Sequence, residues 1–227
     1  MNSKLFSKTH LISPIIFLFF IWSCAPRPKT EEKEIPIAKI EGFNVENGKY
    51  YNSELGLDID IPKDWFVLSQ QGLDSMIAKM KEEAIKKDPS RKEIIEASDI
   101  GMNYLLQTFK YPLETSEKYN PSIAIFVEDV TAAPDIHRGT DYLAYLRRSR
   151  SNSAVLDFMQ DGFTLKTFSN RDFYFMNASQ KLSDYTIYQK YYAVVINRSA
   201  LAMVVSYSTE EEGKEIDKIL ETINFEK

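Results

Sequence analysis

From Lys49 onward the sequence predicts an α+β fold, a mostly antiparallel sheet with helices over both of its faces. Three observations carry that expectation. Apolar residues alternate with polar ones in short runs, the first being Leu55, Leu57, Ile59 and Ile61. Longer stretches carry apolar stripes at helical spacing, and a striped helix must cover its stripe against another layer. The links among the late strands are of hairpin length, which antiparallel neighbours need and parallel ones cannot use. The composition agrees: 44% apolar and 27% charged residues are globular proportions, and 13 Tyr with 14 Phe can fill a sizeable core.

The chain opens with Lys4 and Lys8, then the apolar run Leu11–Trp22, and no acidic residue precedes Glu31. That is the charge asymmetry of a secretory signal. The run is too short for a membrane span, covering about 18 Å at 1.5 Å per residue against a hydrocarbon core of roughly 30 Å. Ile21-Trp22-Ser23-Cys24 resembles the lipobox of bacterial lipoproteins, with an aliphatic residue three before the cysteine and a small residue directly before it. Trp22 departs from the pattern, where a small residue is usual. The resemblance implies a diacylglyceryl group on the Cys24 thiol, cleavage after Ser23 and a further acyl chain such as palmitate on the freed amine. The alternative is a plain secretory signal with an incidental cysteine. Ala25 follows Cys24 where an Asp would signal inner-membrane retention, so the outer membrane of a bacterial envelope is the expected location.

Cys24 is the one cysteine, so the mature chain has no disulfide framework and no thiol nucleophile. Three segments are expected: a signal peptide over 1–23, a lipid-anchored flexible linker over 24–48, and a globular domain over 49–227. The linker carries Pro26, Pro28 and Pro36 among charged residues, without a sustained apolar period. Net charge is −5 for the whole chain and −7 once Lys4 and Lys8 leave with the signal, which argues against a nucleic-acid partner.

Within the domain, the strand through Leu55–Ile61 stops at Pro62. Gly72 opens a helical stretch striped by Leu73, Met76, Ile77, Met80 and Ala84, broken at Asp88-Pro89 and followed by a short helix over 90–100. Strands are expected at 104–111 and 122–130, then a helix over 140–151 with Leu143 and Leu146 facing inward. Further strands follow at 163–168, 171–180, 184–196 and 200–207, the last two forming a hairpin at Asn197-Arg198, where Asn tolerates positive φ. Thr209 and Glu212 form a capping box, and Ile216, Ile219, Leu220 and Ile223 stripe a closing helix. The order reads ββαββαββββα.

"YYNSELGLDIDIPKDW" at 50–65 resembles the opening of PsbP-like domains. "NPSIAIFVEDV" at 120–130, "DYLAYL" at 141–146, "QKYYAVVINRSALAMVVSYST" at 189–209 and the closing "ILETINF" are similar to that family in the same order. The resemblance implies an α/β/α sandwich with a central antiparallel sheet. It also implies a binding protein without catalysis, since family members include extrinsic photosystem subunits, a Ran-binding factor and bacterial lipoproteins. The resemblance supplies no ligand residues.

A search for chemistry finds little. His137 is the sole histidine after signal removal, in the turn-rich "APDIHRG", and reads as an exposed loop residue. No G-x-S-x-G, S-x-x-K or glycine-rich phosphate loop is present. Asp58, Asp60 and Asp64 invite a calcium reading, but alternation puts the first two on a solvated strand face and the EF-hand glycine and distal Glu are missing. Arg138, Arg147, Arg148 and Arg150 form a basic cluster that could meet anionic headgroups or an acidic partner, or serve as an ordinary solvated helix face. Trp65, just past Pro62, reads as a plug for the open end of the core, its indole N–H requiring a partner. No catalytic, cofactor or metal residue is assigned. The expected role is a membrane-anchored protein-binding or scaffold domain with an envelope protein partner. The rivals are a carrier of a small apolar ligand or lipid and, behind it, an enzyme built on carboxylates and tyrosines.

Overall fold

The computed structural model describes residues 45–46, 48–97, 102–113, 119–150, 156–159 and 162–225. Its centre is an antiparallel sheet built on β5 (Met102–Phe109), β6 (Ser122–Asp129), β9 (Arg171–Lys181), β10 (Thr186–Ile196) and β11 (Ser199–Tyr207). With β4 (Phe66–Val67) and β7 (Asp157–Phe158) at its edges, the strand order is β4-β5-β6-β11-β10-β9-β7, and β8 (Thr164–Phe168) also pairs with β9. β6 and β11 lie in the middle and are buried on both faces, which is why "SIAIFV" and "ALAMVV" read as continuous apolar runs. In β5 the register shifts between Tyr104 and Leu106, and this bulge lets Leu105 and Leu106 both enter the core.

One face of the sheet is covered by α3 (Gly139–Arg150), whose Tyr142, Leu143 and Leu146 pack on Phe126, Met176, Tyr191 and Ala202. A Cβ at Gly139 would lie 2.1 Å from the Ala193 carbonyl oxygen, so only glycine lets α3 begin this close to β10. The same face carries α1 (Gln70–Lys87), held by a small cluster of Leu68, Leu73, Met76 and Phe109. It begins at Gln70, two residues before the expected start, and its N-cap Ser69 accepts through its side chain from the Gly72 N–H. Asp88 ends it, a 3₁₀ turn at Pro89–Arg91 follows, and α2 (Lys92–Ala97) is the short second helix, residues 98–101 lying outside the described ones.

The opposite face is covered by α4 (Glu210–Leu220), through Ile216, Ile219 and Leu220. Its capping box is formed as expected, the Thr209 side chain accepting from the Glu212 N–H and the Glu212 carboxylate taking the Thr209 N–H. Beside α4 lies a second antiparallel sheet, β1-β2-β3-β12, made of β1 (Val45–Glu46), β2 (Lys49–Asn52), β3 (Leu57–Asp60) and β12 (Asn224–Phe225). Tyr50, Leu57, Ile59 and Phe225 from this sheet share one core with α4 and the main sheet. The molecule is therefore an α+β sandwich with a central antiparallel sheet and helices on both faces, as expected.

Four details depart from the sequence reading. The first strands leave the main sheet to form their own. The paired structure begins at Val45, inside the stretch read as linker. The closing helix stops at Leu220, and Ile223 is buried from the turn that leads into β12. Asp58 is not on a solvated face: β3 is paired on both sides, by β2 and β12, and Asp58 is only 8% exposed. The Asn197-Arg198 hairpin is as expected, with both residues at positive φ, +48° and +65°. Among the described residues no helix is long and apolar enough to cross a membrane.

Candidate functional site

Cys24 and Arg150's side chain lie outside the described residues. The remaining arginines do not converge on one site. Arg138 is exposed before α3 with its Nε 3.8 Å from Asp141, while the Arg147 guanidinium sits 5.2 Å from the centre of the Phe163 ring. His137 is exposed, and its backbone N–H and that of Arg138 donate to Asp141 Oδ2 at 3.1 and 2.9 Å. Slight burial raises the Asp141 carboxyl, but those two backbone bonds outweigh it and hold the group below the usual range. This is a helix cap, with a structural role.

The Asp58–Asp60 pair likewise serves the fold. Lys49 Nζ bridges Asp58 at 2.9 Å and Asp60 at 3.3 Å, and Asn224 Nδ2 donates to Asp58 at 3.0 Å, so three strands are tied through one carboxylate. Among the described residues no group of three or more His, Cys, Asp or Glu could hold a metal ion.

Trp65 closes the core at 5% exposure, and its indole finds the partner it needs: Nε1 donates to Glu215 Oε1 on α4 at 2.9 Å. The other oxygen of Glu215 takes Lys110, which follows β5. Partial burial pushes the Glu215 carboxyl up, but the bonds from Lys110 and Trp65 outweigh that and hold it low. Lys110 is correspondingly raised, first by its bond to Glu215. A second pair, Lys190 to Asp217 at 2.7 Å, ties β10 to α4 nearby.

These pairs border the end of the main sheet where the surface is most unusual. One register row crosses the sheet here through Phe66, Phe109, Ser122, Ser206, Gln189 and Ala178. Four inter-strand steps from Phe66 to Gln189 span about 19 Å. Among the described residues eight large apolar side chains are about a third or more exposed, and five of them ring this end: Phe66, Tyr111, Leu113, Tyr185 and Tyr188. The rings are braced. Tyr188 stacks on Tyr207 with centroids 5.8 Å apart, Tyr185 leans on Tyr119 at 6.4 Å, and the Tyr111 backbone is pinned by a pair of bonds with Asn120 at 3.0 and 2.7 Å.

Beneath the rings the sheet is polar. Ser122, Ser206 and Gln189 are buried, and Tyr191 donates to Gln189 Oε1 at 2.6 Å. The Tyr119 phenol faces the Ser122 and Ser206 hydroxyls, loosely enough that Ser206 Oγ, wholly buried, has no partner of good geometry. Burial drives the Tyr119 phenol well above its ordinary range, and burial also raises Tyr192 and, less far, Tyr207. Phenols held neutral in this way donate hydrogen bonds and present rings. Glu128, a buried acid under α3, receives the Tyr142 hydroxyl at 2.6 Å and lies away from this end.

The sequence reading found Trp65 and its need for a partner, but not Glu215, Lys110 or the ring of tyrosines. Tyr111 follows β5 while Tyr185 and Tyr188 sit at the start of β10, and only strand register brings the two groups to one end.

No family model matches the sequence. No curated protein matches it either. Among solved structures, the chain is similar to the cyanobacterial PsbP protein CyanoP of Synechocystis sp. PCC 6803, at 8% identity and a TM-score of 0.46, covering 78% of this chain and 91% of that one. It is also similar to LpqN, described as involved in cell envelope biogenesis of Mycobacterium tuberculosis, at 14% identity and a TM-score of 0.43, covering 74% of this chain and 83% of that one. Similarities of this size concern arrangement and carry nothing about what the domain binds.

Proposed function

We propose that this chain is a lipid-anchored protein of a bacterial cell envelope, whose domain binds or scaffolds a partner without catalysis. The observation that carries the reading is Ile21-Trp22-Ser23-Cys24, the one cysteine of the chain placed at the end of a short apolar run with basic residues before it. Each buried methylene contributes about 0.8 kcal/mol, so two or three acyl chains hold a domain at a bilayer where one would not. The reading without catalysis is supported by polar groups that are committed to the fold: Glu215 to Trp65 and Lys110, and Asp58 to Lys49 and Asn224.

Growth with a clickable palmitate analogue tests the anchor. The wild-type chain is expected to take the label and Cys24→Ser to lose it; equal labelling of both refutes acylation at Cys24. A second reading, a carrier of an apolar molecule, draws on the buried Ser206 hydroxyl, which has room in its bonding for one polar group of a ligand. Native mass spectrometry of the purified protein distinguishes it by a retained small molecule.

A further inference from the structure

We infer that the tyrosine-rich end of the main sheet is the face the domain turns toward the bilayer, seating its rings among zwitterionic phospholipid headgroups. This rests on the reading of Cys24 as the lipid-bearing residue. Phe66, Tyr111, Leu113, Tyr185 and Tyr188 give this end an apolar ring carried mainly by tyrosine, a side chain with an apolar body and a wet tip suited to headgroup depth. The opposite end is of another kind. There Arg198 holds the loop from Val130 to Ile136, and the exposed residues include Thr131, Asp135, His137 and Arg138.

The chain also enters beside the rings. After β1 it turns at Gly48, whose carbonyl accepts the Ile61 N–H at 2.6 Å, and Ile61 leads through Pro62 directly to Trp65 and Phe66. Only 20 residues lie between Cys24 and Val45. A flexible chain of that length has a root-mean-square reach of about 25 Å, comparable with the width of the ringed end. Tethering at that distance gives a high effective concentration, so a contact too weak to recruit a free domain suffices to orient an anchored one.

Charge selects the surface. Lys110, Lys190 and Lys214 at this end are paired with Glu215, Asp217 and Glu210, while Lys63, Lys181, Asp64, Asp184 and Glu211 are exposed around it. Charges so nearly balanced give no pull toward a strongly anionic surface and leave ring insertion among net-neutral headgroups as the contact, one that added salt does not dissolve.

The test uses the acylated full chain, which has no free thiol because Cys24 carries lipid. A bimane fluorophore is attached at Leu113→Cys, Tyr188→Cys or Thr131→Cys, and each protein is reconstituted on phosphatidylcholine vesicles whose lipids are partly brominated near the headgroup. Trp65, the sole tryptophan after signal removal, reports that each variant is folded. Quenching is expected to be severalfold greater at positions 113 and 188 than at 131, which lies about 30 Å away along the strands. Equal quenching at all three, or greater quenching at 131, overturns the orientation. Flotation with the vesicles is read separately. Flotation without quenching at 113 and 188 sinks the orientation and leaves the anchor standing, whereas loss of flotation sinks both.

Discussion

The indole Nε1 of Trp65 donates to Glu215 Oε1 at 2.9 Å, joining residues 150 positions apart in sequence. Through the other oxygen of Glu215 the bond extends to Lys110, so the small sheet's exit, the end of β5 and α4 meet at one carboxylate. The end of the core that carries the exposed tyrosines is thereby closed by a charged hydrogen-bonded link and a buried ring together.

Replacing Glu215 with Gln keeps a hydrogen-bond acceptor for Trp65 but removes the charge that faces Lys110. Replacing it with Ala leaves the indole N–H unpaired, and a cost of about 1–3 kcal/mol is expected. Urea unfolding followed by Trp65 fluorescence measures both. The pH dependence has a fixed sign. Because the folded Glu215 carboxyl is held low, its contribution is fully present above the unfolded value of about 4.3 and is lost as pH falls through the folded value. Because Lys110 is raised, its contribution is present below about 10.4 and is lost as pH rises through the folded value. Glu215→Gln should flatten the acid side of the stability profile; an unchanged acid limb contradicts the assignment.

Asp58 and Asp60 sit two residues apart on β3 and should respond differently. Asp58 ties Lys49 and Asn224 from a buried position, so Asp58→Ala is expected to cost about 1–3 kcal/mol. Asp60, exposed and paired only at the surface, should change stability by less than about 0.5 kcal/mol. Thermal melting of the two variants side by side decides between a structural carboxylate at 58 and an ordinary surface pair.

Arg198 Nη2 donates to the Val130 carbonyl at 2.7 Å and Nη1 to the Ile136 carbonyl at 3.0 Å, with Thr131 and Ala133 carbonyls at 3.1 and 3.3 Å. The planar fork serves several carbonyls at once, which a lysine ammonium on its flexible stem cannot reproduce. Arg198→Lys is therefore expected to speed amide hydrogen exchange in 130–136 nearly as much as Arg198→Ala, while the β10–β11 ladder stays protected. Restoration of protection by lysine would show that charge alone holds the loop.

Most of the fold was legible where residues repeat a pattern over several turns or strands. The stripe of α4, its Thr209–Glu212 cap and the Asn197-Arg198 turn needed only local chemistry. The two-residue strands β4, β7 and β12 were not legible, because so short a segment has no pattern and exists only where a neighbour supplies its hydrogen bonds. Asp58 misled for a related reason: alternation distinguishes two faces of a strand, and it cannot foresee that β12 and Asn224 arrive from the far end of the chain to cover the polar one. The ringed end of the sheet was invisible for the same cause. Tyr111 comes to the same end as Tyr185 and Tyr188 only through the register of strands far apart in sequence.

The direct test of the anchored-domain reading is the mass of the amino-terminal peptide from protein extracted from native membranes with detergent. The account expects that peptide to begin at Cys24 with diacylglycerol on the sulfur. A chain that begins elsewhere, or a Cys24 with a bare thiol in membrane-extracted protein, contradicts it.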